Sequence, residues 1–94
     1  MDKLELFNKV AEVVKLNSVT KYKPISTLDM PWADTNLDSL DAIMMCVYLS
    51  EIYNVEEETS KEFVFTTPRE LIDLVETNKT TEPESLDAAI AGIV

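Results

Sequence analysis

The 94-residue chain has one glycine, one cysteine and no histidine. With Gly92 alone, a glycine-rich phosphate-binding loop is not expected, nor are hairpin turns that depend on glycine. A single cysteine, Cys46, excludes an internal disulfide and favours a reducing, cytoplasmic location. The sequence also contains no recognisable nucleophile–base pair or cluster of metal ligands, so we expect neither an enzyme nor a metal site.

Basic residues and long apolar runs are scarce as well. Eight lysines and arginines stand against 18 aspartates and glutamates, which leaves a net charge of −10. Such a surface repels the phosphates of nucleic acids and attracts proteins with basic docking patches. No apolar run reaches the roughly 20 residues that cross a bilayer, so membrane insertion is not expected.

What the chain does have is enough apolar residues, 46%, for the one core that a chain of this length can enclose. Apolar positions recur with helical spacing, which predicts an all-α fold. The first predicted helix covers 3–17, with Asp2 and Glu5 as its capping pair, and a loop over 18–36 separates it from a second helix over 38–53. A brief helix follows near 56–60, and a further helix runs from Thr67-Pro68-Arg69-Glu70 to Asn78. A short fifth helix is expected in the segment that starts with Thr81-Glu82-Pro83-Glu84.

The predicted helix over 38–53 has two apolar faces. At about 100° per residue, one face collects Ala42, Met45, Cys46, Leu49, Ile52 and Tyr53, and the opposite face collects Leu40, Ile43, Met44 and Val47. A small domain buries one helix face, so the other must meet something else. We predict that the face with Met45 and Leu49 is core, where Cys46 would be unreactive, and that the Leu40 face is open to a partner. The alternative is that the C-terminal segment covers it.

This helix begins with Leu37-Asp38-Ser39-Leu40-Asp41, in which two aspartates stand near the partially positive helix start. Asp38 and Ser39 are ordinary capping residues, but the wider sequence resembles the acyl carrier proteins. That family typically reads Asp-Leu-Gly-Leu-Asp-Ser-Leu-Asp, where this chain reads Asp34-Thr35-Asn36-Leu37-Asp38-Ser39-Leu40-Asp41. Asparagine at the glycine position, Asn36, is among the few residues that tolerate positive φ.

The resemblance extends from Leu4 to about Val75. Glu51-Ile52-Tyr53 is similar to the end of the family's second helix, and the run from Phe65 to Leu71 is similar to the start of its last helix. It implies an acyl-carrier-type four-helix bundle over 1–78 with a long first loop and a short third helix. Residues 79–94 would be an extension that adds a further helix.

The resemblance also implies a function without catalysis. A phosphopantetheinyl transferase would attach 4′-phosphopantetheine from coenzyme A to Ser39, with Asp38 and Leu40 completing the attachment site. A monomeric carrier would then present acyl thioesters to acyl-loading, acyl-transfer or synthase enzymes of a fatty acid, polyketide or envelope-lipid pathway. The implied partner-docking residues are Asp41, Ile43, Met44, Val47 and Glu51, and the implied acyl-path residues are Phe63, Phe65 and Leu71.

Two departures from the family favour a dedicated pathway. Met44, Ser50 and Ile52 stand where glutamates usually face basic partners, so partners with mixed apolar docking patches are expected. The chain also continues to Val94. Glu84-Ser85-Leu86-Asp87 resembles the attachment motif, but we interpret it as a chance helix start. Two alternatives stay open, an aminoacyl or peptidyl carrier that uses the same serine and an unmodified helical adaptor.

Overall fold

The computed structural model describes residues 2–16, 18–19 and 21–94, and this part of the chain is all-α without strands, as predicted. Its helices are α1 (Lys3–Val14), α2 (Ser39–Tyr53), α3 (Glu57–Ser60), α4 (Pro68–Asn78) and α5 (Leu86–Ala91), with a 3₁₀ turn over Trp32–Asp34. The first helix ends at Val14, with Lys15 as its C-cap, and so is shorter than the predicted helix over 3–17, of which residue 17 lies outside the described residues. None of the described helices is long and apolar enough to cross a membrane.

Side-chain caps set the starts of the helices. Asp2 Oδ1 accepts hydrogen bonds from the amides of Leu4 and Glu5 at the start of α1. Thr67 and Glu70 form a reciprocal capping box at the start of α4. Both starts lie where the sequence predicts them, because capping depends on residues three apart and needs no tertiary context.

Of the two helix-start patterns near the C-terminus, at Thr81 and at Ser85, helix α5 uses the second. Its N-cap is Ser85, whose Oγ accepts from the amide of Ala88 at 3.1 Å, and not Thr81. The amides of Thr80 and Thr81 instead donate to the carbonyl of Tyr53 at 3.1 and 3.3 Å. This contact holds the segment against the end of α2, so the helix forms only after it.

One core joins all the longer elements. Helix α2 packs against α1, α3 and α4, and α5 packs against α1. The buried apolar residues are Leu6, Phe7, Val10, Ala11, Ile25, Leu28, Leu37, Met45, Leu49, Ile52, Tyr53, Val55, Leu71, Ile72, Val75 and Ala89. At about 1.5–3 kcal/mol for each large apolar side chain, this burial is the main force that holds the helices together.

The long loop after α1 is anchored to that helix. The side chain of Asn8 accepts from the amide of Ile25 at 3.0 Å and donates to its carbonyl at 3.1 Å. The hydroxyl of Tyr22 donates to the same Asn8 oxygen at 2.6 Å, and burial raises the pKa of Tyr22 to about 12. The described loop residues therefore follow a defined path towards α2.

The 3₁₀ turn at the end of this loop is anchored to the other side of the core. The ring of Trp32 packs edge-on against Phe7 and Phe65, with centroid distances of 5.7 and 5.1 Å. Its backbone amide donates to the carbonyl of Thr66 at 2.8 Å. These contacts, together with buried Leu37, fix the chain immediately before the start of α2.

Candidate functional site

The start of α2 places an exposed serine on a rigid support. Ser39 is the first helical residue, and its side chain is exposed. Asp38 Oδ1 accepts from the amide of Asp41 at 2.8 Å, and Asp41 Oδ2 accepts from the amide of Asp38 at 3.1 Å. These two bonds close a capping box around the serine. Just before it, Asn36 has a φ of 63°, the positive value that asparagine tolerates.

Asp41 has a second partner that the sequence analysis missed. Lys15, the C-cap residue of α1, donates from Nζ to Asp41 Oδ2 at 2.5 Å, and the two side chains are only 11% and 13% exposed. Burial opposes ionisation of the Asp41 carboxyl, but hydrogen bonds from Lys15 and from the Asp38 amide outweigh it and lower its pKa. No local pattern could reveal this pair, because the two residues are joined only by the path of the loop.

The outer face of α2 is largely uncovered. Leu40 is 66% exposed, Ile43 60% and Val47 43%, while Met44 is half-buried. The C-terminal helix does not cover these side chains, since it packs against α1 and approaches α2 only near its far end, at Glu51 and Ile52. Contiguous apolar side chains that face solvent on one helix usually mark an interaction site.

A groove of about 350 Å³ runs beside this face, between α2 and the segment that follows α3. It is lined by Ala42, Ile43, Cys46, Val47, Ser60, Lys61, Phe63 and Phe65. Ser39 lies one helical turn before Ile43, about 6 Å along the helix axis. Of the residues predicted for an acyl path, the structure thus brings Phe63 and Phe65 together, whereas Leu71 is fully buried in the core and does not line the groove.

Cys46 lines this groove and is half-buried there. Its thiol donates a weak hydrogen bond to the carbonyl of Ser60 at 3.6 Å. Desolvation raises the pKa of the thiol, which keeps it protonated and makes it a poor nucleophile at neutral pH. The sequence placed Cys46 on the core face of α2, whereas the structure leaves it half-buried at the groove, and its chemical inertness stays a prediction.

Glu51, the last residue predicted for docking, is exposed near the far end of α2. It lies at a second groove, of about 310 Å³, between α2 and the C-terminal segment. It is therefore separated from the attachment motif by almost the whole helix. Within the described residues, no group of three or more histidine, cysteine, aspartate or glutamate side chains is placed to hold a metal ion.

Comparisons with known proteins find no match for this chain, either among protein-family models, among curated proteins or among solved structures. Support for a function therefore comes from the motif and from the geometry around it. That geometry joins an exposed serine on a capped helix start, an exposed apolar helix face and a groove beside both.

Proposed function

We propose that this protein is an acyl carrier protein, in which Ser39 bears 4′-phosphopantetheine and the thiol of that arm bears acyl groups as thioesters. The observation that carries the proposal is the Asp38-Ser39-Leu40-Asp41 motif at the start of α2, with the serine exposed and both aspartates engaged in the capping box. Capping alone would leave the exposed apolar face and the neighbouring groove unexplained. Together with the exposed Ser39 they provide what a carrier needs, namely access for a modifying enzyme and shelter for a cargo.

The attachment chemistry requires little of the carrier itself. A phosphopantetheinyl transferase would join the hydroxyl oxygen of Ser39 to the phosphorus of coenzyme A that bears pantetheine. Adenosine bisphosphate would leave, and the hydroxyl proton would pass to a base of the transferase. The resulting phosphodiester is an anion at the N-terminal end of a 15-residue helix, where free amides and the helix dipole favour negative charge.

The groove beside α2 is the proposed shelter for the acyl chain. Its lining includes Ile43, Val47, Phe63 and Phe65, and apolar walls of this kind suit an acyl chain better than an aminoacyl or peptidyl group. This distinction favours acyl cargo over the alternative carrier. In this proposal α1 to α4 form the acyl-carrier-type bundle over residues 1–78, and α5 belongs to the extension over 79–94.

The outer face of α2 is the proposed docking surface for acyl-loading, acyl-transfer or synthase enzymes. Its exposed side chains, Leu40, Ile43 and Val47, are apolar, with Met44 between them and Glu51 at the far end. Such a face suits partners with mixed apolar patches, and therefore a dedicated fatty acid, polyketide or envelope-lipid pathway. The protein would act as a monomeric cytoplasmic shuttle without a catalytic role of its own.

The deciding experiment is incubation with a broad-specificity phosphopantetheinyl transferase and coenzyme A, followed by intact and peptide mass spectrometry. We expect a phosphopantetheinyl mass gain on the Ser39 peptide, lost in Ser39→Ala and retained in the matched control Ser85→Ala. Ser85 is a suitable control because it too lies at the start of a helix and precedes a leucine. Absence of modification by any such transferase would favour an unmodified helical adaptor, and modification at Ser85 would contradict the assignment.

A further inference from the structure

The Lys15–Asp41 ion pair does not follow from the need to cap α2. Helix α4 begins with the same reciprocal box, between Thr67 and Glu70, and in the described part of the chain no lysine or arginine forms an ion pair with Glu70. Glu70 is satisfied by the hydroxyl and amide of Thr66 and the amide of Thr67. A capping box in this protein therefore closes without a cation, and Lys15 calls for a separate explanation.

The ion pair changes the charge of the surface next to Ser39. Asp41 is one of three acidic residues at or on α2, and its carboxylate is neutralised by Lys15 with both side chains mostly buried. Asp38 uses Oδ1 in the capping box, and Glu51 lies at the far end of the helix. The half of α2 nearest Ser39 thus keeps one carboxylate without a cationic partner in the described part of the chain, that of the exposed Asp38, although the whole chain carries a charge of −10.

Exposed apolar residues neighbour both members of the neutralised pair in the chain. Leu16 follows Lys15 in the chain and is 69% exposed, and Leu40 precedes Asp41 and is 66% exposed. With Ile43 one turn further along α2, these residues add exposed apolar side chains near the pair, beside the exposed Asp38. A partner surface that contacts this region should be apolar where it meets Asp41. A basic group of the partner at that position would lose its own hydration and would find Asp41 already paired with Lys15.

From this arrangement we propose that Lys15 is a specificity-determining residue of the carrier. It pairs with Asp41 and so leaves Asp38 as the one carboxylate next to Ser39 that a basic partner residue can bind, where two would otherwise be available. Partners that rely on a contact with Asp41 are disfavoured, and partners that bind the apolar face of α2 are favoured. This inference rests on the proposed carrier function.

The test measures steady-state phosphopantetheinylation by a transferase with a basic carrier-binding surface, for wild type, Lys15→Met, Asp41→Asn and the double variant. Lys15→Met keeps the buried stem and frees Asp41. We expect the KM for the carrier to fall roughly threefold or more at low ionic strength, with kcat unchanged, and the difference to vanish at about 0.5 M salt. In the Asp41→Asn background, Lys15→Met should change KM little. Lys9→Met is the matched control, since it changes the net charge equally but removes an exposed lysine that pairs with Glu12 on α1.

The outcomes separate this inference from the function on which it rests. If wild type is modified at Ser39 and Lys15→Met has the same KM, the inference alone is overturned. The same holds if Lys9→Met lowers the KM equally, or if Lys15→Met still lowers the KM in the Asp41→Asn background. Absence of any modification of wild type overturns the proposed function and the inference with it. If thermal unfolding shows that Lys15→Met is not folded at the assay temperature, Lys15→Gln is measured in its place with the same expected results.

Discussion

Helices α2 and α4 begin with the same reciprocal capping box, yet their surroundings differ. At α2 the first helical residue is the exposed Ser39, and at α4 it is the buried Pro68. The box of α2 is tied to α1 through Lys15, whereas that of α4 is completed by its own neighbour Thr66. A capping box therefore explains why a helix begins at a residue, but it does not explain why one helix start is open to solvent.

The two helices also differ in how they use their apolar residues. Helix α4 buries Leu71, Ile72 and Val75 on one face, in the manner of an ordinary amphipathic helix. Helix α2 buries Met45 and Leu49 and leaves a second apolar set in solvent. An exposed apolar face costs solubility and adds nothing to folding, so its presence on the helix that bears Ser39 favours a role in binding.

The largest expected effect separates the two faces of α2 with one kind of substitution. Leu49 is fully buried and Leu40 is 66% exposed, so they form a matched pair on one helix. Leu49→Ala should lower the free energy of unfolding by about 2–5 kcal/mol through lost burial and a cavity. Leu40→Ala should change it by about 0.5 kcal/mol or less. Urea unfolding measures both, and similar losses in the two variants would show that Leu40 is not free in solution.

Much of this comparison could be predicted from the sequence, because it depends on local spacing. The starts of α1, α2 and α4, the positive φ at Asn36 and the division of α2 into a buried and an exposed face all follow from residues close together in the chain. The start of α5 at Ser85 instead of Thr81 could not be predicted, because both stretches have helix-start residues and the choice depends on the contact of Thr80 and Thr81 with the end of α2.

The site shows the same division between local and long-range information. The exposure of Ser39 follows from its motif, but its ion-paired neighbour comes from the end of α1 and its groove from the segment after α3. Such long-range neighbours carry no periodic signal. Because the sequence gives no sign of Lys15 near Asp41, it predicts a docking role for Asp41. In the structure the Asp41 carboxylate is paired with Lys15 and mostly buried.

The next effect tests whether the two capping boxes are equivalent. Asp38→Ala and Thr67→Ala each remove one N-cap side chain, and each should lower the free energy of unfolding by about 1 kcal/mol. Only Asp38→Ala should also slow the modification of Ser39, because it loosens the helix start that presents the hydroxyl. Thermal unfolding and the rate of phosphopantetheinylation measure the two consequences, and equal slowing in both variants would indicate general destabilisation.

A smaller effect distinguishes the boxes by pH. The pKa of Asp41 is lowered although burial opposes its ionisation, and hydrogen bonds from Thr66 lower the pKa of Glu70. A lowered pKa in the folded state stabilises the protein above the ordinary carboxyl pKa of about 4, and this stability is lost as the pH falls through the lowered value. Wild type should therefore exceed Asp41→Asn and Glu70→Gln in stability at pH 7 and lose that advantage below about pH 4.

Lys15 provides the control for this pH dependence. In a Lys15→Met background the advantage conferred by Asp41 should be smaller at pH 7 and should be fully lost at a higher pH, because one of the hydrogen bonds that lower its pKa is gone. The advantage conferred by Glu70 should be unchanged, since Lys15 takes no part in its hydrogen bonds. Urea unfolding at a series of pH values gives both differences. If Lys15→Met changes the pH dependence of the Asp41 advantage and of the Glu70 advantage by the same amount, overall charge, and not the ion pair, sets that dependence.

The smallest expected effect on stability comes from placing a glutamate on the outer face of α2 or of α4. On α2 the same substitution should have the sharpest effect on function. Met44→Glu on α2 and Thr77→Glu on α4 both add a negative charge, and each should change the free energy of unfolding by about 0.5 kcal/mol or less. Turnover by an enzyme that acts on the loaded carrier should change only with Met44→Glu, because that charge interrupts the apolar face beside Ser39. Unfolding of Met44→Glu would show that this half-buried side chain belongs to the core, and equal changes in turnover would place the partner's contacts elsewhere.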